Sequence, residues 1–283
     1  GSEVISIAGR QLNILEAPAQ EVRSFLAGCD AAVSLIGANE NAAASDPAAA
    51  LKLSTVAAQR IGEAVVDNGV RRLVHFSTIH VYGILSGDIE ESRPLAPVHP
   101  YGAAHAAAEG VLQALVRERG LDAVVLRLAN AVGPPATPDV DRWTLLTNDL
   151  ARSLAETGKL QLRTAGRAWR DFIGLSEVCR AVGHVLRLPA QNGVRVFNLG
   201  AGRARRVLEV AQRMAELAEP LLGKRPELLR PFQDGALPDP PAFTLRVDAL
   251  RRTGFEPASE IDDELKRLIQ FALAHFGRRA PAP

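Results

Sequence analysis

Cysteine is nearly missing from this chain: Cys29 and Cys179 stand far apart, with no CxxC spacing. That scarcity excludes a disulfide framework and a cysteine-bound zinc site, and it fits a reducing cytoplasm. No uninterrupted apolar run approaches twenty residues and no charged-then-apolar leader is found. Neither a transmembrane helix nor a signal peptide is therefore expected. A charge bias of either sign is lacking too, since 33 basic side chains meet 32 acidic ones. Without a broad cationic field, nucleic acid and anionic membranes are not expected partners, and any bound anion must be gripped locally. Aromatic residues make up only 5% of the chain, which leaves few platforms for stacking a nucleobase.

What is present is apolar and periodic. With 47% hydrophobic residues over 283 positions, the chain can bury the core of one or two closely packed domains. VISIA (4 to 8), AAVSLIG (31 to 37), RRLVHFS (71 to 77) and DAVVLRLA (122 to 129) are short, β-branched-rich runs. They read as buried strands of a parallel sheet. Helical stretches lie between them at 18 to 28, 48 to 69 and 101 to 120, two of which end on a glycine suited to a helix C-cap. Alternating strands and helices predict an α/β fold with a doubly wound parallel sheet. Only GRRAPAP, at 277 to 283, reads as unstructured. In such folds ligands bind beyond the carboxyl ends of the strands, which is where Gly37 and Thr78 fall.

Two segments carry the chemistry. Ser77, Thr78, Ile79, His80, Val81, Tyr82 and Gly83 close a strand, and Tyr101, Gly102, Ala103, Ala104 and His105 open a helix. Their spacing resembles the SSxxVYG and YxxxK motifs of the extended short-chain dehydrogenase/reductase family, the sugar-nucleotide epimerases, dehydratases and reductases. The resemblance runs from residue 3 to residue 276 and implies a Rossmann-like fold with a smaller C-terminal substrate lobe. It also implies that Thr78 polarises the substrate oxygen and that Tyr101 moves the proton. The family's lysine, which holds the cofactor ribose and lowers the tyrosine pKa, is replaced by His105. One helical turn from Tyr101, His105 shares its face; it either imitates the lysine as a cation or marks a lost catalytic residue. Strand alternation would put His80 on the face of Thr78, toward substrate, or leave it bonded to backbone or water at a strand end. No third ligand at suitable spacing joins His80 and His105, so no metal site is expected.

The same resemblance frames the cofactor and substrate sites. GSEVISIAGR matches the turn and second strand of the family rather than its first strand and glycine-rich loop, so that first βα unit is read as absent from this chain. The second strand ends in Ala8, Gly9 and Arg10; a basic residue there suits a 2′-phosphate, which favours NADP over NAD. Asn13 stands near the expected adenine, and Gly37 and Ala38 lie where a small-residue run passes the cofactor. Downstream, RLANAVGPP implies a substrate diphosphate contact at Asn130, and RAWRDFIGLSEVCRAVGHVL implies a nucleotide phosphate contact at Arg170, whose guanidinium is a good fork for phosphate oxygens. Arg203, Arg205 and Arg206 either assist or form a solvated face. Residues 1 to 130 are expected to form the cofactor domain and 131 to 283 mainly the substrate lobe, with part of 167 to 200 returning to the sheet. Thr78-Ile79-His80 lacks the Thr-Asp-Glu of the family's 4,6-dehydratases, which leaves epimerases and reductases open. Two functions remain. One is an NADP- or NAD-dependent epimerase or reductase of a nucleotide sugar, cytoplasmic and homodimeric through paired helices; the other is a non-redox relative that binds a nucleotide sugar or a protein partner.

Overall fold

The computed structural model describes residues 4–7, 10–191, 193–230 and 239–277. In chain order these form β1 (Val4–Ile7), β2 (Arg10–Asn13), α1 (Ala19–Leu26), β3 (Ala32–Ser34), α2 (Glu40–Ser45), α3 (Pro47–Asp67), β4 (Leu73–Thr78), β5 (Gly87–Ile89), α4 (Pro100–Arg119) and β6 (Asp122–Leu128). There follow β7 (Asn130–Val132), α5 (Leu146–Thr157), β8 (Lys159–Gln161), β9 (Trp169–Gly174), α6 (Leu175–Arg187), β10 (Gly193–Leu199), β11 (Ala204–Arg206), α7 (Val207–Leu222), β12 (Glu227–Leu229), β13 (Phe243–Leu245), α8 (Asp248–Arg251) and α9 (Ile261–Phe276). The chain divides into two units. The first holds Gly1–Leu128, Ala181–Leu199 and Arg246–Phe255; the second holds Ala129–Arg180, Gly200–Leu245 and Glu256–Pro283. Residues 181 to 199 thus group with the first unit, as do residues 246 to 255.

The first unit is built on a four-stranded parallel sheet in the order β10-β6-β4-β3. All six residues of β4 are buried, as expected where a parallel strand is covered on both faces. One face packs Leu73, Ala123 and Val125 against Leu53, Ala57 and Ile61 of α3 and Ala108 and Leu112 of α4. At the opposite end of the strands from Thr78, the fully buried Arg72 donates to the carbonyls of Val185, Leu188 and Pro189 at 2.7, 2.8 and 2.9 Å. It also pairs with Asp122 Oδ2, at 2.7 Å. One guanidinium therefore satisfies the carbonyls that end α6 and fixes the entry into β10.

VISIA is not part of this sheet. β1 pairs antiparallel with β2, Val4 opposite Asn13 and Ile7 opposite Arg10. Two residues separate these strands, far fewer than the dozen or more a parallel crossover needs, so antiparallel pairing wins. Ala8 and Gly9, the side chain of Arg10 and residues 278 to 283 lie outside the described residues, and with them the 2′-phosphate reading and most of the unstructured tail.

The second unit has its own core. Leu150 and Leu154 of α5, Val210 and Met214 of α7 and Leu265, Leu268 and Ile269 of α9 pack together with Trp143. A short sheet, β11-β9-β7, carries the RDF segment. Trp143 is a packing residue, 6% exposed, and Trp169 lies under Arg206, whose guanidinium carbon stands 4.6 Å from the ring centroid. Arg206 also pairs with Asp239 and donates to the Arg167 carbonyl, so this member of the basic cluster is engaged within its own unit.

Candidate active site

β4 delivers Thr78, and α4 delivers Tyr101 and His105. α4 starts with His99 as N-cap and Pro100 at its first position, and it ends on Gly120 in the left-handed conformation at φ 70°. Immediately after Thr78 the chain leaves the extended conformation for a 3₁₀ turn, Ile79–Tyr82, and the His80 N–H donates to Thr78 Oγ1 at 3.3 Å. Strand alternation therefore does not position His80, contrary to expectation; the turn does. Gly102 permits the join, because a Cβ there would stand 2.6 Å from the His80 carbonyl oxygen. The helix start and the turn touch backbone to side-chain face, which sets Tyr101 beside the end of β4.

The result is a cluster of four rings. His80 and His99 lie 5.1 Å apart, His80 and Tyr101 5.9 Å, and His99 and Tyr101 6.0 Å and stacked. On Tyr101 the His105 ring sits edge-on at 4.7 Å. Thr78 is buried, while His80, His99 and Tyr101 are half-buried. His99 was not singled out from sequence. N-caps are normally Ser, Thr, Asp or Asn, yet here Nδ1 of His99 accepts from the Gly102 N–H at 3.3 Å. The HPY sequence just before an alanine-rich helix was the available signal.

His105 turns inward. It is 7% exposed, its Nδ1 has no hydrogen-bond partner among the described residues, and a Cβ on Gly37 would lie 3.0 Å from its Cε1. Burial pushes its pKa down to about 4, against Glu40, which raises it, and with His80, which lowers it further. At neutral pH it is an uncharged imidazole, so it is not a cationic stand-in for lysine. Neighbouring His75 is buried, both its ring nitrogens lack hydrogen-bond partners among the described residues, and burial with His105 nearby lowers its pKa to about 3.

These two histidines make stability pH-dependent. Their folded pKa values lie below the ordinary 6.5, so the unfolded chain binds more protons as pH falls below that value. Each then removes stability at about 1.4 kcal/mol per pH unit, down to about pH 4 for His105 and about 3 for His75. Asp171, raised by burial to about 6, works oppositely between its ordinary value and 6. Urea unfolding between pH 6 and 4 should therefore show stability falling as pH falls, by on the order of 1 kcal/mol per unit, and His75→Leu should flatten that slope. An unchanged slope in the variant would refute the assignment.

Behind Thr78 runs a buried polar chain. Ser77 Oγ donates to Glu109 Oε1 at 2.5 Å, and Arg127 Nη2 donates to Glu109 Oε2 at 2.7 Å. Arg127 Nη1 donates to the Tyr82 hydroxyl at 2.8 Å, and that hydroxyl donates to Asn198 Oδ1 at 2.7 Å. A cleft of about 760 Å³ near its far end is lined by Glu90, Glu91, Arg246, Asp248, Arg251 and Arg252. It contains none of the four rings; its mixed charges offer no concentrated anion or cation site, and the ring cluster is the better candidate for chemistry.

The remaining expected residues fall as follows. Gly37 and the buried Ala38 lie beside His105 and Tyr101, Ala38 within an alanine cluster with Ala43, Ala50 and Ala104. Asn13 closes an Asx-type turn, its Oδ1 accepting from the Leu15 N–H at 3.0 Å. In the second unit Arg170 Nη1 donates to Asn130 Oδ1 at 3.0 Å, and Asn130 Nδ2 donates to the Asp171 carbonyl at 2.9 Å. The two expected phosphate contacts are thus neighbours of each other. Asp171 itself is fully buried and accepts from the Ala201 and Arg203 N–H groups at 2.6 and 2.9 Å, which ties the Gly200–Gly202 turn to β9. Among the described residues no group of three His, Cys, Asp or Glu could hold a metal ion, and no helix is long and apolar enough to cross a membrane.

A parallel α/β sheet ending in a threonine, beside a helix opening on a tyrosine, places the chain in the class of Rossmann-like α/β folds. The sequence profile of the NAD dependent epimerase/dehydratase family matches residues 6–200, and the chain belongs to that family. It is 29% identical over 213 residues to the trifunctional UDP-glucose 4,6-dehydratase/UDP-4-keto-6-deoxy-D-glucose 3,5-epimerase/UDP-4-keto-L-rhamnose-reductase of Arabidopsis thaliana. That match covers 73% of this chain but only 30% of the plant enzyme. Among solved structures, MoeE5 in complex with UDP-glucuronic acid and NAD is similar with 26% identity and a TM-score of 0.73, over 91% of this chain and 83% of that one. RMD from Pseudomonas aeruginosa complexed with NADPH shares the fold at a TM-score of 0.80 and 19% identity, covering 95% and 89% of the two chains.

Proposed function

We propose that this chain carries the site of an NAD- or NADP-dependent epimerase or reductase acting on a nucleotide-linked sugar. The observation that carries the reading is the placement of Thr78 and Tyr101 together at the carboxyl end of the parallel sheet, in a chain of this family. The residues present fit a nicotinamide nucleotide: Gly37 brings backbone without a Cβ to the His105 ring, whose buried Nδ1 has no hydrogen-bond partner among the described residues. His105, Tyr101, Gly37 and Ala38 would hold its ribose and flank, with Asn13 toward the adenine and Arg10 as the residue that favours NADP. When bound, the nicotinamide supplies or takes up the hydride at the sugar carbon. Thr78 and Tyr101 hold the oxygen on that carbon, and Tyr101 gives or receives its proton. An ordinary phenol near pKa 10 gives up its proton reluctantly at neutral pH. Because His105 is neutral, it offers no charge to ease that loss, so the site favours donating a proton to a ketone over taking one from an alcohol.

Asn130 and Arg170 are proposed to meet the diphosphate, the first unit to serve the cofactor and the second the sugar nucleotide. α3 and α4 are proposed to pair with a second copy in a homodimer, and the protein to work in the cytoplasm, in keeping with its two unpaired cysteines. The neutral His105 favours a second reading, a non-redox relative that binds nucleotide sugars or a protein partner. Thermal stabilisation by NADP, NAD and a panel of UDP- and dTDP-sugars separates the two, since a ligand that binds only the folded state raises the midpoint. A shift with a dinucleotide supports the oxidoreductase; shifts with nucleotide sugars alone, or with nothing, sink it.

A further inference from the structure

Four polar side chains lie in the layer between the parallel sheet and the helices α3 and α4. Leu73 and Val125 belong to the core packed against these helices. His75, two residues beyond Leu73 and paired in register with Val125 and Ser34, shares their face, and so does Ser34. On α3, Ser54 falls between Leu53 and Ala57 of that core, one turn past Ala50. On α4, His105 stands three residues before Ala108 and next to Ala104, which packs with Ala50. All four are more than nine-tenths buried: Ser34 is 4% exposed, Ser54 1%, His75 2% and His105 7%. Among the described residues Ser34 Oγ, Ser54 Oγ, both ring nitrogens of His75 and Nδ1 of His105 have no hydrogen-bond partner. That Nδ1 looks away from Gly37, where a Cβ would lie 3.0 and 3.2 Å from Cε1 and Nε2 of the ring but 3.9 Å from Nδ1. The two rings are also close enough for charge on His105 to depress the pKa of His75.

Buried polar groups in folded proteins are nearly always bonded, and an orphan bears its full desolvation penalty. Orphans on three facing elements of one layer point to a shared partner. Its chemistry follows from theirs. At neutral pH both imidazoles are uncharged, so a serine hydroxyl or the His75 ring can each donate one bond and accept another. An anion would need a positive charge here, which burial keeps off both rings. A cation would need carboxylates, and Glu40, whose charge reaches His105, is exposed. Water alone matches a set of mixed donors and acceptors without charge. From this arrangement we infer an internal hydration site between Ser34, Ser54, His75 and His105, in which ordered water bonds Nδ1 of His105 and holds its Nε2 edge toward Gly37. With about three bonds to each buried water, the orphaned atoms accommodate about two waters. His75 is then a positioning residue: through water it orients the ring that packs edge-on against Tyr101 at 4.7 Å. The inference stands apart from the choice of sugar or dinucleotide.

The test is magnetic resonance on the full chain at neutral pH. Relaxation dispersion of the solvent counts waters held longer than the protein tumbles, and nitrogen-15 in the histidine rings reports the bonding of each ring nitrogen. In the wild type the His75 ring N–H is expected to give a cross-relaxation peak to water, and His105 Nδ1 to resonate as a hydrogen-bonded nitrogen. His75→Phe should lose about two long-lived waters and move the His105 Nδ1 resonance to the position of a bare nitrogen. His75→Gln keeps a donor and an acceptor and should retain both the waters and the resonance, a rescue that a merely space-filling His75 would not show. Ser34→Ala/Ser54→Ala removes only two hydroxyls, and it should lower the count by about one water even where the phenylalanine variant does not fold. A water count in the serine double variant equal to that of the wild type would overturn the inference. So would a His75 N–H whose cross-peak is to a serine hydroxyl instead of water, or a His105 resonance that does not respond to His75→Phe in a folded variant.

Discussion

Tyr101→Phe should cut turnover of a nucleotide-sugar substrate by 10²- to 10⁴-fold, the range set by losing one positioned proton-transfer group. Its ring packs edge-on against His105 and stacks near His99, and phenylalanine keeps both contacts. What disappears is the phenol proposed to donate to the substrate oxygen. The check is a steady-state assay of kcat beside a melting curve on the same preparation. Turnover that persists in the variant would remove Tyr101 from the chemistry and shift attention to His80.

The largest stability effect is expected behind the site. Arg127 and Glu109 are 4% and 1% exposed and meet at 2.7 Å. Arg127→Ala strands a carboxylate where water does not reach, and should cost about 3–5 kcal/mol. It also takes a donor from the Tyr82 hydroxyl. The double variant Arg127→Met/Glu109→Leu removes both charges and should recover much of the loss, because breaking a buried pair is worse than replacing it. Urea titrations of the wild type, single and double variants decide this; a single variant as stable as wild type would show that the pair is not sealed from solvent.

The sheet was legible because its strands announce themselves: LVHFST and DAVVLRL are apolar runs of the right length, and helices with Pro starts and Gly ends separate them. Thr78 and Tyr101 were singled out for a different reason, the resemblance of their spacing to the family's strand and helix motifs. VISIA failed as a parallel strand because a run of that composition does not say which partner it will choose, and the nearest one, RQLN, sat two residues away. His80 was placed by the wrong rule, since the strand period ends where the 3₁₀ turn begins. The fate of His105 turned on burial. A histidine and a lysine one turn after tyrosine look interchangeable in sequence, but the shorter side chain reaches Gly37 rather than outward. His99 went unseen because its role depends on a contact with Gly102 and on two rings distant in sequence. Asn130 and Arg170 were found separately, while their bond to each other follows from the pairing of β7 with β9.

α4 carries alanine at 103, 104, 106, 107 and 108, and a small apolar residue would seem acceptable almost anywhere along it. Gly102 is the exception. One added methyl there meets the oxygen of His80 rather than empty space, and relief requires the helix to back away from the turn. Over generations, then, the exposed positions of this helix can drift among small residues without touching the reaction, while the mildest replacement at one glycine would pull the phenol from the threonine and both histidines at once.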